Sequence, residues 1–293
     1  MDNFIVLYNP LAGNGTAQDK MRELESLMQG DRLYFSNMLD IRDYGAFFND
    51  MSDGASIIIC GGDGTLNRFL NDTEDIRPDC DIYYYPSGSG NDFARDIGAE
   101  RGAPPVLINR YIERLPKICV NGKEHRFING IGYGIDGYCC EKGDELRGKG
   151  NGEVNYTAIA IKGLLFHYKP TGATITVDGV EHRFEKVWLA PTMIGRYYGG
   201  GMMPTPEQDR LNGDGAVSVM VYYGSGKLKS LAVFPSIFKG EHIKHSEMVA
   251  VLSGRNITVC FDEPRTLQID GETVSGVREY SVTACEEKVL QPA

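Results

Sequence analysis

The sequence predicts an α/β domain followed by an antiparallel β domain, and three observations carry that reading. The first third alternates short β-prone runs with helical patterns, the rhythm of a parallel sheet covered by helices. From about Lys117 the pattern changes to strands broken by Asn-Gly and Asp-Gly pairs, the strongest short-range hairpin signal. A length of 293 residues favours two ordinary domains over one large core. The boundary is expected at 118/119, with residues 119–280 forming the second domain and the tail 281–293 returning to the first.

In the first domain, strands are expected at Phe4–Tyr8, Ser56–Cys60 and Ile82–Tyr85, and helices at Thr16–Met28, Leu66–Asn71 and Asn91–Ile97. In the second, Val120-Asn-Gly-Lys-Glu124, Val177-Asp-Gly-Val-Glu181 and Ile269-Asp-Gly-Glu272 each predict a hairpin. Two of these continue as Glu-His-Arg-Phe, at Glu124–Phe127 and Glu181–Phe184, which is too short to establish a repeat and reads as two similar hairpins.

Thirty basic against forty acidic residues, a net charge of -10, lacks the basic footprint that sequence-independent nucleic-acid binding requires. Seven cysteines without a Cys-x-x-Cys pair suggest neither a disulfide framework nor a zinc site, and a reducing cytoplasm is expected. The first residues, MDNFIVLYNP, lack a basic n-region and a long apolar run, so no secretion signal is expected, and the longest apolar stretch, Thr157–Phe166, is far below the roughly 20 residues that span a bilayer. No transmembrane segment is expected.

The chemistry concentrates in three glycine-bearing loops at the expected C-terminal strand ends, where open α/β sheets bind ligands: NPLAGNG (Asn9–Gly15), GGDGT (Gly61–Thr65) and PSGSGND (Pro86–Asp92). Glycine loops that open helices present unused N–H groups to phosphate. Gly61, Gly62 and Gly64 supply that surface without the spacing of a P-loop or a dinucleotide fingerprint. Asp63 would repel a bare phosphate. It is reasonable if Mg²⁺ intervenes, or if Asp63 is the N-cap of a tight strand-to-helix turn. Asp92 repeats the acid one β-α unit later, which favours a shared site.

GGDGTLN (Gly61–Asn67), PSGSGNDFAR (Pro86–Arg95) and NPLAG (Asn9–Gly13) resemble the signature loops of the diacylglycerol kinase catalytic-domain family, which includes soluble bacterial lipid kinases and sphingosine kinases. The resemblance continues through Asn129–Asp136, Gly199–Pro204, Asp214-Gly215 and Ile269–Glu272. It implies a nucleotide-binding α/β domain, a β-sandwich-like second domain, and a cleft between them holding ATP and a lipid hydroxyl. By position, Asp63, Asp92 and Asp136 would build an Asp–water–Mg²⁺ network around ATP. Asn9, Pro10, Gly13, Gly61, Gly62, Gly64, Thr65, Ser87, Gly88, Ser89, Gly90 and Asn91 would line the nucleotide.

The Asp270-Gly271-Glu272 turn would bring a carboxylate to the substrate. Glu272 is the candidate general base, with a plain hairpin as the alternative. Asp214, with the Arg210 and Ala216 carbonyls, matches a structural divalent-ion site; a simple loop is the alternative, and the extra Gly213 and Ser218, where relatives carry a second acid, weaken the match. Lys162 is either a phosphate-directed cation or an exposed helix lysine.

Asn14, where relatives carry a basic residue, and Arg68, in place of a common glutamate, are further departures. The resemblance therefore implies an ATP- and Mg²⁺-dependent kinase of a diacylglycerol-like lipid, acting transiently at a membrane surface. A homodimer, an NAD kinase-like enzyme and a non-catalytic nucleotide- or lipid-binding regulator stay open, and the lipid itself is not encoded.

Gly226–His245 carries four lysines against one glutamate, interleaved with apolar residues, and reads as an interfacial stretch or an ordinary surface helix that Pro235 interrupts. Met202 and Met203 are candidates for an acyl-chain lip or for core. His242 and His245 have metal-ligand spacing without a third ligand.

Overall fold

A computed structural model describes residues 2–10, 17–76, 78–88, 90–148, 159, 162–163 and 167–285. The chain forms two compact units, residues 1–113 and 114–293.

Unit 1 is built on the strands β1 (Asn3–Tyr8), β2 (Arg32–Asn37), β3 (Ser56–Gly61), β4 (Ile82–Pro86) and β5 (Val106–Leu107), in the order β2-β1-β3-β4-β5. The first four are parallel and β5 is antiparallel to β4. The central run Ile57-Ile-Ile59 is wholly buried, as a sheet covered on both faces requires. Helices α1 (Ala17–Leu27), α2 (Tyr44–Asn49), α3 (Asp63–Asp72), α4 (Asp92–Ile97) and α5 (Asn109–Ile112) complete it. Leu24 packs with Phe4, Val6, Ile58 and Tyr85 on one face of the sheet.

The expected strands and helices are present. β2 and α2 were not expected: Arg32-Leu-Tyr-Phe-Ser-Asn37 has no buried position, so it lacks the apolar run that marks a central strand. Helix α3 begins three residues before Leu66, directly on the glycine loop, because Thr65 and Leu66 both donate to the Gly62 carbonyl, at 3.0 and 3.1 Å.

Unit 2 contains β6 (Lys117–Val120), β7 (Lys123–Arg126), β8 (Gly130–Tyr133), β9 (Thr171–Val177), β10 (Val180–Val187), β11 (Thr192–Met193), β12 (Val217–Tyr222), β13 (Val249–Gly254), β14 (Asn256–Ile269) and β15 (Glu272–Thr283). All its pairings are antiparallel. Strand β14 pairs with β9 through residues 257–261 and with β8 through 267–269, and its register with β15 shifts between Cys260 and Arg265. Such an irregularity lets one strand serve two parts of a folded sheet.

The three expected hairpins are β6/β7, β9/β10 and β14/β15. Each turn places both central residues at positive φ: Asn121-Gly122 at 52° and 75°, Asp178-Gly179 at 48° and 85°, Asp270-Gly271 at 46° and 99°. That is the conformation for which Asn-Gly and Asp-Gly are selected.

The unit divides from the first at Arg114, earlier than the expected 118/119, because Lys117–Val120 pairs with β7 and β15. Of the tail expected to return to the first domain, Ser281–Thr283 lies in β15 of unit 2, and residues 286–293 lie outside the described residues.

Unit 2 is not purely β. Helix α6 (Ile135–Gly148) follows β8 directly. Gly226–His245 forms a helix over Lys227–Val233, then 3₁₀ turns over Phe234–Lys239 and Glu241–Lys244, with Pro235 ending the regular helix. Met202 is buried in the core with Ile135, Trp188 and Tyr198, whereas Met203 is half-buried. His242 is buried and its Nε2 lies 2.9 Å from the Pro204 carbonyl, so its role is internal. All seven cysteines are free. Among the described residues, no helix is long and apolar enough to cross a membrane.

Candidate active site

In unit 1 the second and third glycine loops lie side by side. The Ser87 amide donates to the Gly61 carbonyl at 2.9 Å, extending the β3/β4 pairing into the loops. A Cβ on Gly88 would lie 2.5 Å from the Gly62 Cα, so the two backbones meet where no side chain fits. Asn91 closes the third loop at φ 52°, donating from Nδ2 to the Gly88 carbonyl at 2.8 Å, and Arg101 Nη2 donates to the same oxygen at 2.9 Å.

Asp63 is the first residue of α3, but its carboxylate does not cap that helix, whose N-cap is Gly62 with no side-chain bond. It caps the next one. Oδ2 accepts from the Asp92 amide at 2.8 Å and Oδ1 from the Phe93 amide at 3.0 Å, at the exposed N–H end of α4. Asp92 itself is buried. The two carboxylates flank Gly90, where a Cβ would lie 3.6 Å from Asp63 Oδ2 and 4.0 Å from Asp92 Oδ2.

A carboxylate oxygen that accepts one amide retains capacity for a second contact. The arrangement therefore fits a hydrated Mg²⁺, which binds through one or two carboxylates, waters and nucleotide phosphates. Thr65 is buried against Gly61, Gly64 is exposed, and Asn9 and Pro10 sit half-buried at the end of β1. Ser87 Oγ lies 3.7 Å from Cys60 Sγ. Gly13, Asn14 and Ser89 lie outside the described residues.

In unit 2 the expected acids Asp136, Asp270 and Glu272 gather at the β14/β15 turn. Asp270 accepts three backbone amides, Ile128 at 2.6 Å, Asn129 at 2.9 Å and Gly130 at 3.0 Å. Three N–H donors saturate much of a carboxylate, so Asp270 shapes the turn. Gly271 donates its amide to Gln268 Oε1 at 2.6 Å, and Gln268 Nε2 donates to Asp136 Oδ2 at 2.9 Å. Glu272, at the head of β15, is exposed.

Asp136 sits in the first turn of α6, where the positive helix end favours an anion. Burial nevertheless pushes its carboxyl up to about 6, with the Gln268 amide acting in the opposite direction. Gly132 makes room for it, since a Cβ there would overlap Asp136 Oδ2. Gln268 was missed by sequence reasoning. Its signal is a polar residue between Leu267 and Ile269, next to the turn, in a strand buried on both sides of it.

The expected metal position at Asp214 carries other partners. The Asp214 side chain accepts from the Ala216 amide at 3.1 Å, and the Ala216 carbonyl accepts from Gln208 Nε2 at 2.9 Å and Asn212 Nδ2 at 2.8 Å. Arg210 turns its guanidinium to the Ile128 carbonyl at 3.0 Å and Asn129 Oδ1 at 3.4 Å. The Ala216 oxygen has both lone pairs engaged, and these residues do not fit a divalent ion. Among the described residues, no three of His, Cys, Asp and Glu cluster as metal ligands. Lys162 is exposed.

Two families of known proteins match the chain. The diacylglycerol kinase catalytic domain matches residues 3–117, and the YegS C-terminal NAD kinase beta sandwich-like domain matches residues 129–286. A diacylglycerol kinase of Mycobacterium tuberculosis is 26% identical over 200 residues, which are 66% of this chain and 63% of that protein. The chain thus matches less than two thirds of that relative's length. A diacylglycerol kinase of Bacillus subtilis is 29% identical over 224 residues, 74% of this chain and 70% of that protein. A crystal structure of a diacylglycerol kinase from Bacillus anthracis shares the fold with a TM-score of 0.60 at 19% identity, covering 97% of this chain and 94% of that one. With its two domains matched in order and the loops of GGDGT and GSGND joined through Asp63, this chain belongs to the diacylglycerol kinase catalytic-domain family.

Proposed function

We propose that this chain transfers the γ-phosphoryl group of ATP to the hydroxyl of a diacylglycerol-like lipid. The observation that carries the reading is the junction of two acid-bearing glycine loops through the Asp63 carboxylate, in a chain of this family. Phosphoryl transfer depends mainly on positioning and charge neutralisation, and glycine-lined amides beside fixed carboxylates supply both. The loops Asn9–Gly13, Gly61–Thr65 and Ser87–Asn91 would receive the phosphates, and Asp63 and Asp92 would hold Mg²⁺. When bound, that ion neutralises phosphate charge.

Glu272 is the group available to take the proton of the attacking hydroxyl. Its backbone is fixed from both sides, by Asp270 on the Ile128–Gly130 amides and by Gln268 on the Gly271 amide. Asp136 is tied to the same turn through Gln268. Access to a bilayer lipid is supported by the helix at Lys227–Val233, where Leu228 is 80% exposed and Lys227 and Lys229 accompany it, and by Phe238, which is 41% exposed. Apolar side chains flanked by lysines suit an anionic interface.

Radiolabelled ATP transfer over a panel of diacylglycerol, sphingoid base, ceramide, polyprenol, phosphatidylglycerol and NAD tests the reading. Labelled lipid that disappears with Asp63→Asn is expected. Labelled NAD would assign an NAD kinase, and no labelled product would leave a non-catalytic binder.

A further inference from the structure

The loop Arg210–Ala216 is where the sequence resemblance implies a structural divalent-ion site, yet here organic donors fill it. Arg114 donates from Nη1 and Nη2 to the Gly213 carbonyl at 3.3 and 3.4 Å. Arg255 donates from Nη1 to the next carbonyl, that of Asp214, and from Nη2 to that of Cys285 at 3.4 Å. The Ala216 carbonyl is taken by Gln208 and Asn212. Ser218, where the resemblance implies a second acid, donates from Oγ to Gln208 Oε1, which turns the Gln208 amide nitrogen toward Ala216. Guanidinium groups are permanently charged and offer donors in a fixed fork, so they can hold adjacent carbonyls as a cation does.

The loop has a task beyond its own order. Arg210 holds the Ile128 carbonyl at 3.0 Å, and the N–H of that same peptide unit, on Asn129, donates to Asp270 at 2.9 Å. A single planar peptide therefore lies between a positive and a negative side chain, which polarises both of its hydrogen bonds. Because Asp270 fixes the turn that carries Glu272, the orientation of Arg210 reaches the proposed proton acceptor through one peptide.

We propose that Arg114 and Arg255 hold the Arg210–Ala216 loop in place of a divalent cation, and that Arg210 is a positioning residue aligning the Asp270–Glu272 turn through the Ile128–Asn129 peptide. The loop part stands alone; the kinetic consequence rests on the kinase reading.

The test is hydrogen exchange by mass spectrometry on the full chain, in EDTA and in millimolar Mg²⁺ or Ca²⁺. Exchange over residues 208–218 is expected to be the same in all three. Arg255→Met should accelerate it about tenfold, and Arg255→Lys should recover part of the protection. Slowing of the parent loop by a divalent ion, or an unchanged Arg255→Met loop, would overturn the first part.

For the second part, Arg210→Met should accelerate exchange over 127–131 and lower kcat for lipid at an unchanged KM for ATP, with partial rescue by Arg210→Lys. Unchanged exchange over 127–131, or an unchanged kcat, would overturn it. If the parent phosphorylates no lipid, the kinase reading fails while the exchange data still decide the positioning claim.

Discussion

Asp136 offers a test in which a buried acid of the candidate site costs stability. It is 9% exposed, and burial raises its carboxyl from 3.8 to about 6. A carboxyl that binds its proton more tightly when folded gives stability that is present below about pH 4 and is lost as pH rises through 6. The rise of roughly 2 units corresponds to at most about 3 kcal/mol between pH 4 and pH 8. Asp136→Asn removes the charge and keeps an oxygen for the Gln268 amide. The variant should match the parent near pH 4 and exceed it by up to about 3 kcal/mol at pH 8.

The only tryptophan, Trp188, reports this locally, because it is buried in unit 2 and its carbonyl accepts the amide of Ile135, the residue before Asp136, at 2.9 Å. Urea unfolding of metal-free protein followed by Trp188 fluorescence at several pH values is the assay. Curves for parent and variant that stay parallel from pH 4 to pH 8, or a variant less stable at pH 8, would refute the reasoning. A stabilised variant that has lost phosphoryl transfer would fit an acid retained for chemistry.

Three further outcomes follow from the contacts. Gly88→Ala forces a Cβ to 2.5 Å from the Gly62 Cα; an overpacking cost of about 1–3 kcal/mol should raise the KM for ATP roughly 5- to 150-fold without moving the Trp188 transition. Asp270→Asn tolerates the left-handed turn but cannot accept three amides, and should lower the urea stability of unit 2 by about 2–3 kcal/mol. Reversing Lys227, Lys229 and Lys239 to glutamate should abolish co-sedimentation with anionic liposomes, and unchanged binding would remove the proposed contact surface.

The hairpins and the α/β rhythm were legible because both rest on local chemistry: Asp-Gly and Asn-Gly at positive φ, and apolar runs feeding glycine loops. Strand β2 and helix α6 were not, since a strand without buried positions and a helix opening on Gly-Ile-Asp-Gly lack the usual periodic signal. The candidate acids were legible as residues, but not their partners. By sequence Asp63 is as readily a cap of its own helix, yet its carboxylate caps the following one, at amides 29 and 30 residues along the chain. Gln268 binding Asp136, and Arg255 standing at the expected metal loop, are contacts between segments distant in the chain that no local pattern encodes.

The central claim is that Glu272 on its fixed turn accepts the hydroxyl proton during transfer from ATP to lipid. Single-turnover phosphate transfer to diacylglycerol-containing vesicles by Glu272→Gln, beside the parent, tests it most directly. The account predicts a rate at least about 100-fold lower, the usual scale of a lost general base, with ATP affinity and the Trp188 unfolding transition unchanged. Transfer at the parental rate would contradict it.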